Sequence, residues 1–126
     1  MRSFQDDYAI GVSLAPAART ASANGSSADL KDCNAALVIV HFGAWTDGTH
    51  TPSLEESADD STWTAVAAGD LDGSFTAKNS DSSTAKQQIV GYKGTARYIR
   101  VVMTIAGSPS TGMLSSACIL RKPNRI

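Results

Sequence analysis

Apolar positions along this chain recur at the spacing of strands, not of helices. No window of 11–18 residues keeps apolar groups at i, i+3, i+4 and i+7. Tyr8, Ile10, Val12 and Leu14 alternate with Ala9, Gly11 and Ser13, which predicts a half-buried strand ended by Pro16. Residues 19–30 are small and polar, with Asn24-Gly25 as a turn signal. The run Ala36-Leu37-Val38-Ile39-Val40-His41-Phe42 is then nearly unbroken in apolar character. Such a run is the signature of a central strand covered on both faces.

The second half repeats the pattern. Asp47-Gly48 predicts a turn, because both residues tolerate positive φ. Thr51 to Ser57 reads as a strand with Leu54 inward and Glu55 and Glu56 near the surface, and Asp59 to Thr62 as a turn leading into Trp63-Thr64-Ala65-Val66. Residues 67–84 are rich in loop formers, including Asp72-Gly73. Gln87 to Tyr92 is a further strand, closed by Gly94. Tyr98 to Ile105 is a long one, with Ile99, Val101, Met103 and Ile105 on one face. A turn over residues 108–112 links it to a last strand, Met113 to Leu120.

Seven or eight strands with turn chemistry between them predict an all-β fold, a single antiparallel β-sandwich of jelly-roll type. Residues 8–120 form that domain, residues 1–7 a short N-terminal arm and residues 121–126 a basic C-terminal tail. With 126 residues the chain has one thin core, and a domain of this size gains stability from association with copies of itself, as a dimer or trimer.

Composition sharpens this. Val, Ile, Leu and Phe number only 24, whereas Ala, Ser, Thr and Gly number 56. So low a share of large apolar residues is a mark of disorder only when net charge is high. Here the formal charge is −1, and the large apolar groups are clustered into the strand runs. No apolar run approaches the roughly 20 residues of a membrane span, so the chain is read as soluble, with no membrane partner. Nor is there the basic excess of a nucleic-acid binder. The balance is uneven, however. Residues 1–72 hold 11 of the 12 acids and three bases, a sum of −8, and residues 73–126 hold one acid and eight bases, a sum of +7. Either strands from the two halves interleave and neutralise each other, or an acidic and a basic face guide docking.

Cys33 and Cys118 are a lone pair, not a disulfide framework, and are read as reduced structural thiols. The N-terminus lacks the apolar core of a signal peptide, which points to synthesis in a cytoplasm.

Catalytic equipment is sparse. His41 and His50 are the only bases with an ordinary pKa near neutrality, and His41 reads as a hydrogen-bonded strand histidine. No Gly-x-Ser-x-Gly elbow, Cys-x-x-Cys pair, phosphate loop or dinucleotide glycine pattern occurs. No enzymatic activity, cofactor or metal is therefore expected. Asp47, Thr49, Glu55, Glu56, Asp59 and Asp60 crowd one region and would suit calcium, but they also suit solvated turns and a charged strand edge. Trp45, Trp63, Tyr92 and Tyr98 read as core or interface anchors, with a glycan-stacking platform as the alternative. Arg100 points outward, to an ion pair across a subunit boundary or to solvent.

Two stretches resemble a known group. Thr46-Asp47-Gly48-Thr49-His50-Thr51-Pro52-Ser53-Leu54-Glu55-Glu56-Ser57 leads into Asp59-Asp60-Ser61-Thr62-Trp63-Thr64-Ala65-Val66, and Gly91-Tyr92-Lys93-Gly94 precedes Ala96-Arg97-Tyr98-Ile99-Arg100-Val101-Val102. This order, within residues 36–121, resembles small tailed-phage and prophage head-associated structural proteins. Asp60-Ser61-Thr62-Trp63 and Arg97-Tyr98-Ile99-Arg100-Val101 also resemble strands of discoidin-type jelly rolls, although this chain lacks cysteines near both domain ends and is shorter than that module. The first resemblance implies a virion component on the capsid surface, a decoration or cement protein whose partners are the major capsid protein and its own copies. Alternatives are a head or tail appendage that binds a host glycan, or a head–tail joining protein. The residues expected at contacts are Arg2, Trp45, Trp63, Arg100, Lys122 and Arg125.

Overall fold

A computed structural model describes residues 8–123. Ten strands follow in order: β1 (Ala9–Arg19), β2 (Ala23–Asn24), β3 (Ala28–Asp29), β4 (Cys33–Trp45), β5 (Thr49–Ser57), β6 (Thr64–Ala65), β7 (Leu71–Asp72), β8 (Gln87–Tyr92), β9 (Tyr98–Ala106) and β10 (Met113–Pro123). Among the described residues helix is confined to one 3-10 turn, Ala68–Asp70. The first sheet runs β1-β10-β4-β8-β7 and the second β2-β9-β5-β6, with β3 also on β9. Every pairing is antiparallel. The two sheets pack face to face as a β-sandwich, and the chain crosses repeatedly between them.

The interior follows from the two-residue period of a strand. Ala36, Val38, Val40 and Phe42 of β4 and Ala117 and Ile119 of β10 turn inward from the first sheet. Leu54 of β5 and Ile99, Val101 and Met103 of β9 meet them from the second. Ser13 ties the layers together at one edge: its Oγ–H donates to the Ser26 carbonyl at 2.8 Å, and the Val101 N–H donates to Oγ at 3.1 Å.

Several expectations need correction. Pro16 does not end β1, which continues to Arg19. It falls within a break in register between Leu14 and Ala17 on an edge strand, where the missing N–H costs no ladder bond. The basic tail does not begin at residue 121. Arg121, Lys122 and Pro123 pair with Ala36, Ala35 and Cys33, so β10 runs on because β4 offers it unpaired backbone. Residues 1–7 and 124–126, with Arg2 and Arg125, lie outside the described residues. His41 is not enclosed by its apolar run. It faces outward with Leu37 and Ile39, because only the other face of β4 meets the second sheet.

The uneven charge is resolved by interleaving. Asp29 of the acidic half pairs with Arg97 of the basic half at 3.0 Å, and Glu55 with Arg100 at 2.7 Å.

Candidate interaction surface

The two outer faces of the sandwich differ in chemistry. On the second sheet, residues opposite one another across β5 and β9 are Thr51 and Thr104, Ser53 and Val102, and Glu55 and Arg100. That mostly polar face is what a solvated antiparallel sheet requires. On the first sheet, register places Val12, Cys118, Ile39 and Ile89 side by side across β1, β10, β4 and β8. The next outward row is Ile10, Leu120, Leu37 and Gly91. Four of the large apolar side chains on this face stand well exposed: Ile10 (64%), Ile89 (61%), Val12 (57%) and Leu114 (44%). Beyond Gly91 the face opens into a broad depression of about 940 Å³, whose margin carries Lys122, Lys93 and Asp72. Scattered single apolar residues are ordinary on a surface, whereas a contiguous patch of them marks a contact site.

Both rows descend from the sequence pattern. β4 reads Leu37-Val38-Ile39-Val40 and β10 reads Ala117-Cys118-Ile119-Leu120, apolar at both parities. Val38, Val40, Ala117 and Ile119 fill the core, so Leu37, Ile39, Cys118 and Leu120 must lie on the opposite side. Among the described residues, the expectation of a strand covered on both faces is met on one face only. Cys33 and Cys118 are both free thiols.

The aromatic residues do not assemble into one platform. Trp45 escapes the outward parity of its strand through a register shift between the Met113–Trp45 and Ser115–Phe42 pairs, and it packs against the core. Its Nε1–H donates to the Gly48 carbonyl at 2.9 Å, just before β5 begins. Trp63 lies towards the other end of β5, under the Arg100 guanidinium, which sits 4.3 Å from the ring centroid. Six residues of strand, roughly 20 Å, separate those ends. Tyr92 is buried, with its hydroxyl 3.4 Å from Glu56 Oε1 and accepting the Ala96 N–H at 3.1 Å. Arg100 is committed within the chain, both to Trp63 and to Glu55 Oε1 through Nε and Nη2 at 2.9 and 2.7 Å. Lys122 is exposed at the edge of the apolar depression.

The acids that crowd residues 47–60 are drawn to separate tasks. Asp47 accepts the N–H groups of Ser110, Thr111 and Gly112 and so fastens the β9–β10 turn. Those backbone bonds, Ser110 and Gly112 foremost, lower its pKa. Asp59 closes its own turn by accepting from the N–H of Thr62 and Ser61, and its pKa is lowered for that reason. Elsewhere, the Arg97 guanidinium beside Asp29 holds that carboxyl down at about 2. Lys86, with the Trp45 N–H, lowers Asp81. Among the described residues no three His, Cys, Asp or Glu side chains converge as a metal cluster.

Neither the chain nor its fold has a match in the comparisons: no family model, curated protein or solved structure resembles it closely enough to count. Among the described residues no helix is long and apolar enough to cross a membrane.

A buried polar group beneath the loop before β8 has no signal in the sequence pattern. His50 is enclosed, with Nε2 at 3.0 Å from the Asp47 carbonyl oxygen, and Lys78 pairs with it backbone to backbone. Lys78 Nζ is also buried and donates to the Ser82 and Thr84 carbonyls at 2.9 and 2.5 Å. Gln88 pins the same loop through Thr76 and Ala85. In sequence these residues sit within or beside a polar, loop-like stretch, and nothing local announces that they turn inward.

Proposed function

We propose that this chain is a non-catalytic structural protein of a bacteriophage virion, one that decorates the capsid exterior and reinforces the shell. Its partners are then the major capsid protein and its own copies, and it is made in the bacterial cytoplasm before joining the particle. The observation that carries this reading is the apolar outer face of the first sheet, which no other described strand covers, on a sandwich whose other outer face is mostly polar. A decoration protein acts by being buried against other proteins, and such a face is what that requires. The resemblance of the segments around Trp63 and Arg97–Val102 to phage head-associated proteins supplies the setting. The alternation of β1-β10-β4-β8 with β2-β9-β5-β6 supports reading the sandwich as a jelly roll.

The test is co-sedimentation of purified protein with mature and with unexpanded shells, together with a copy count per virion. Saturable binding to mature shells at hundreds of copies, with higher heat resistance of the loaded particle, is the expected result. Six or twelve copies would make it a connector, and shells equally resistant with and without it would remove the reinforcing role.

A further inference from the structure

We propose that the outer face of the first sheet is the contact surface for a second copy of this chain, which docks face to face as a two-fold pair. This inference names the surface by which the proposed structural protein self-associates, and it stands whether or not the larger assembly is a capsid.

Four observations converge on a like partner. The first is chemistry. The two central outward rows, Val12-Cys118-Ile39-Ile89 and Ile10-Leu120-Leu37-Gly91, contain no Asp, Glu, Lys or Arg. A face that meets its own image brings together two copies of whatever net charge it carries, so an uncharged apolar face suits a like partner. A partner of opposite charge would demand the reverse.

The second is extent. From Leu114 to Leu120, six residue steps of about 3.3 Å, β10 is flanked by β1 and β4, and β8 joins them from Ser116 onward; at about 4.8 Å per strand this gives roughly 350 Å² of sheet plane per copy. Two such faces come to roughly 700 Å² of plane, and side-chain relief and the rim around Lys122 raise this towards the area of the smaller specific interfaces.

The third is that the edges are poorly suited to edge-to-edge association. On the first sheet, β1 is an edge broken by Pro16 and two register irregularities, and the other edge, β7, has only two residues. The edges of the second sheet are equally short, since β2, β3 and β6 have two residues each. Short and interrupted edges discourage strand addition, leaving the face.

The fourth is packing geometry. A second sheet laid on this one about 10 Å away repeats the arrangement already found between the two sheets of the chain. It gives β4 the cover on both faces that its continuous apolar run calls for.

The experiment is sedimentation of the full chain from about 1 to 100 μM, the range that resolves micromolar dissociation. The wild-type chain should pass from monomer to dimer across it. Ile89→Lys and Val12→Lys replace exposed side chains and leave the core intact, and each should remain monomeric while keeping the circular dichroism of the folded chain. Thr104→Lys, on the outer face of the second sheet, should dimerise normally.

A measurement independent of those variants uses the half-buried thiol of Cys118 in a Cys33→Ser background: its rate of modification should fall several-fold as concentration rises. A wild-type chain that is monomeric throughout, dimers indifferent to Ile89→Lys, or a concentration-independent labelling rate would each overturn the proposal. Loss of shell binding by Ile89→Lys in a chain that never dimerises would assign the face to the capsid instead. Dimers that bind no shell would leave this proposal standing and sink the virion reading alone.

Discussion

Gly112 occupies a point where the main chain has no room for a side chain. A Cβ built there would lie 1.9 Å from the Arg19 carbonyl oxygen, and its φ of +80° belongs to the left-handed region. Gly112→Ala therefore meets both steric overlap and backbone strain, and it should lower the melting temperature sharply in a thermal scan. Core positions obey a different rule. Phe42 is almost wholly enclosed between the sheets, so Phe42→Ala should cost about 3–5 kcal/mol in a denaturant titration. Ile89, of comparable hydrophobicity, is exposed on the outer face. Ile89→Ser should change the stability of the monomer by less than about 0.5 kcal/mol. The contrast separates residues that hold the fold from residues available to a partner. Nothing in the local sequence distinguishes Ile89 from Val90; strand parity does, once it is known which side faces the second sheet.

At the level of elements, β5 and β9 form the longest ladder of the second sheet, and their outer surface is stitched by polar pairs. Glu55 and Arg100 lie directly opposite each other, and Arg100 also covers the Trp63 ring. Both charges are largely sheltered, so a double-mutant cycle on Glu55→Gln and Arg100→Gln should give a coupling of about 0.5–1 kcal/mol, reduced by added salt. Coupling indistinguishable from zero would mean that the pair only decorates the ladder. The outward orientation of Arg100 was legible from alternation with Ile99. Its intramolecular partner was not, because Glu55 is 45 positions away and register decides which residue it meets. The same holds for Trp45, whose inward turn depends on one extra residue in β4 opposite β10.

For the whole molecule, acid and base act through different groups. Asp29, Asp47, Asp59 and Asp81 all have lowered pKa values in the folded chain. The folded state consequently holds fewer protons than the unfolded one as these groups titrate, and stability rises with pH there. Their contribution is complete above the ordinary carboxylate range near 4 and is lost as pH falls through the folded values, for Asp29 down to about 2. Tyr92 behaves oppositely, since burial raises its pKa. Its contribution is present below about 10 and is lost as pH rises through the folded value. Melting temperature measured from pH 2 to 11 should thus be flat through neutrality with respect to these groups and decline at both ends. A second whole-molecule expectation comes from the apolar face: association through it makes the melting temperature rise with protein concentration, and Ile89→Lys should abolish that dependence.

The sequence by itself determined the class of fold and most of the strand positions. Strand alternation, turn residues and unbroken apolar runs are local signals, and each is produced by the chain's own covalent periodicity. It also contained the apolar face, since Leu37-Val38-Ile39-Val40 is apolar on both sides whatever its surroundings. Only the tertiary structure decided which side would be core. That choice rests on which sheet packs where, a matter of pairing between residues such as Ile39 and Cys118, 79 positions apart (118 − 39). The interior places of His50 and Lys78 were likewise set by tertiary structure: their side chains bond to carbonyls nearby in sequence, Asp47 for His50 and Ser82 for Lys78, but their backbones pair across 28 positions (78 − 50) only when the loop before β8 folds over the end of β5. Burial and polar satisfaction are properties of the assembled molecule, and no short stretch of chain carries them.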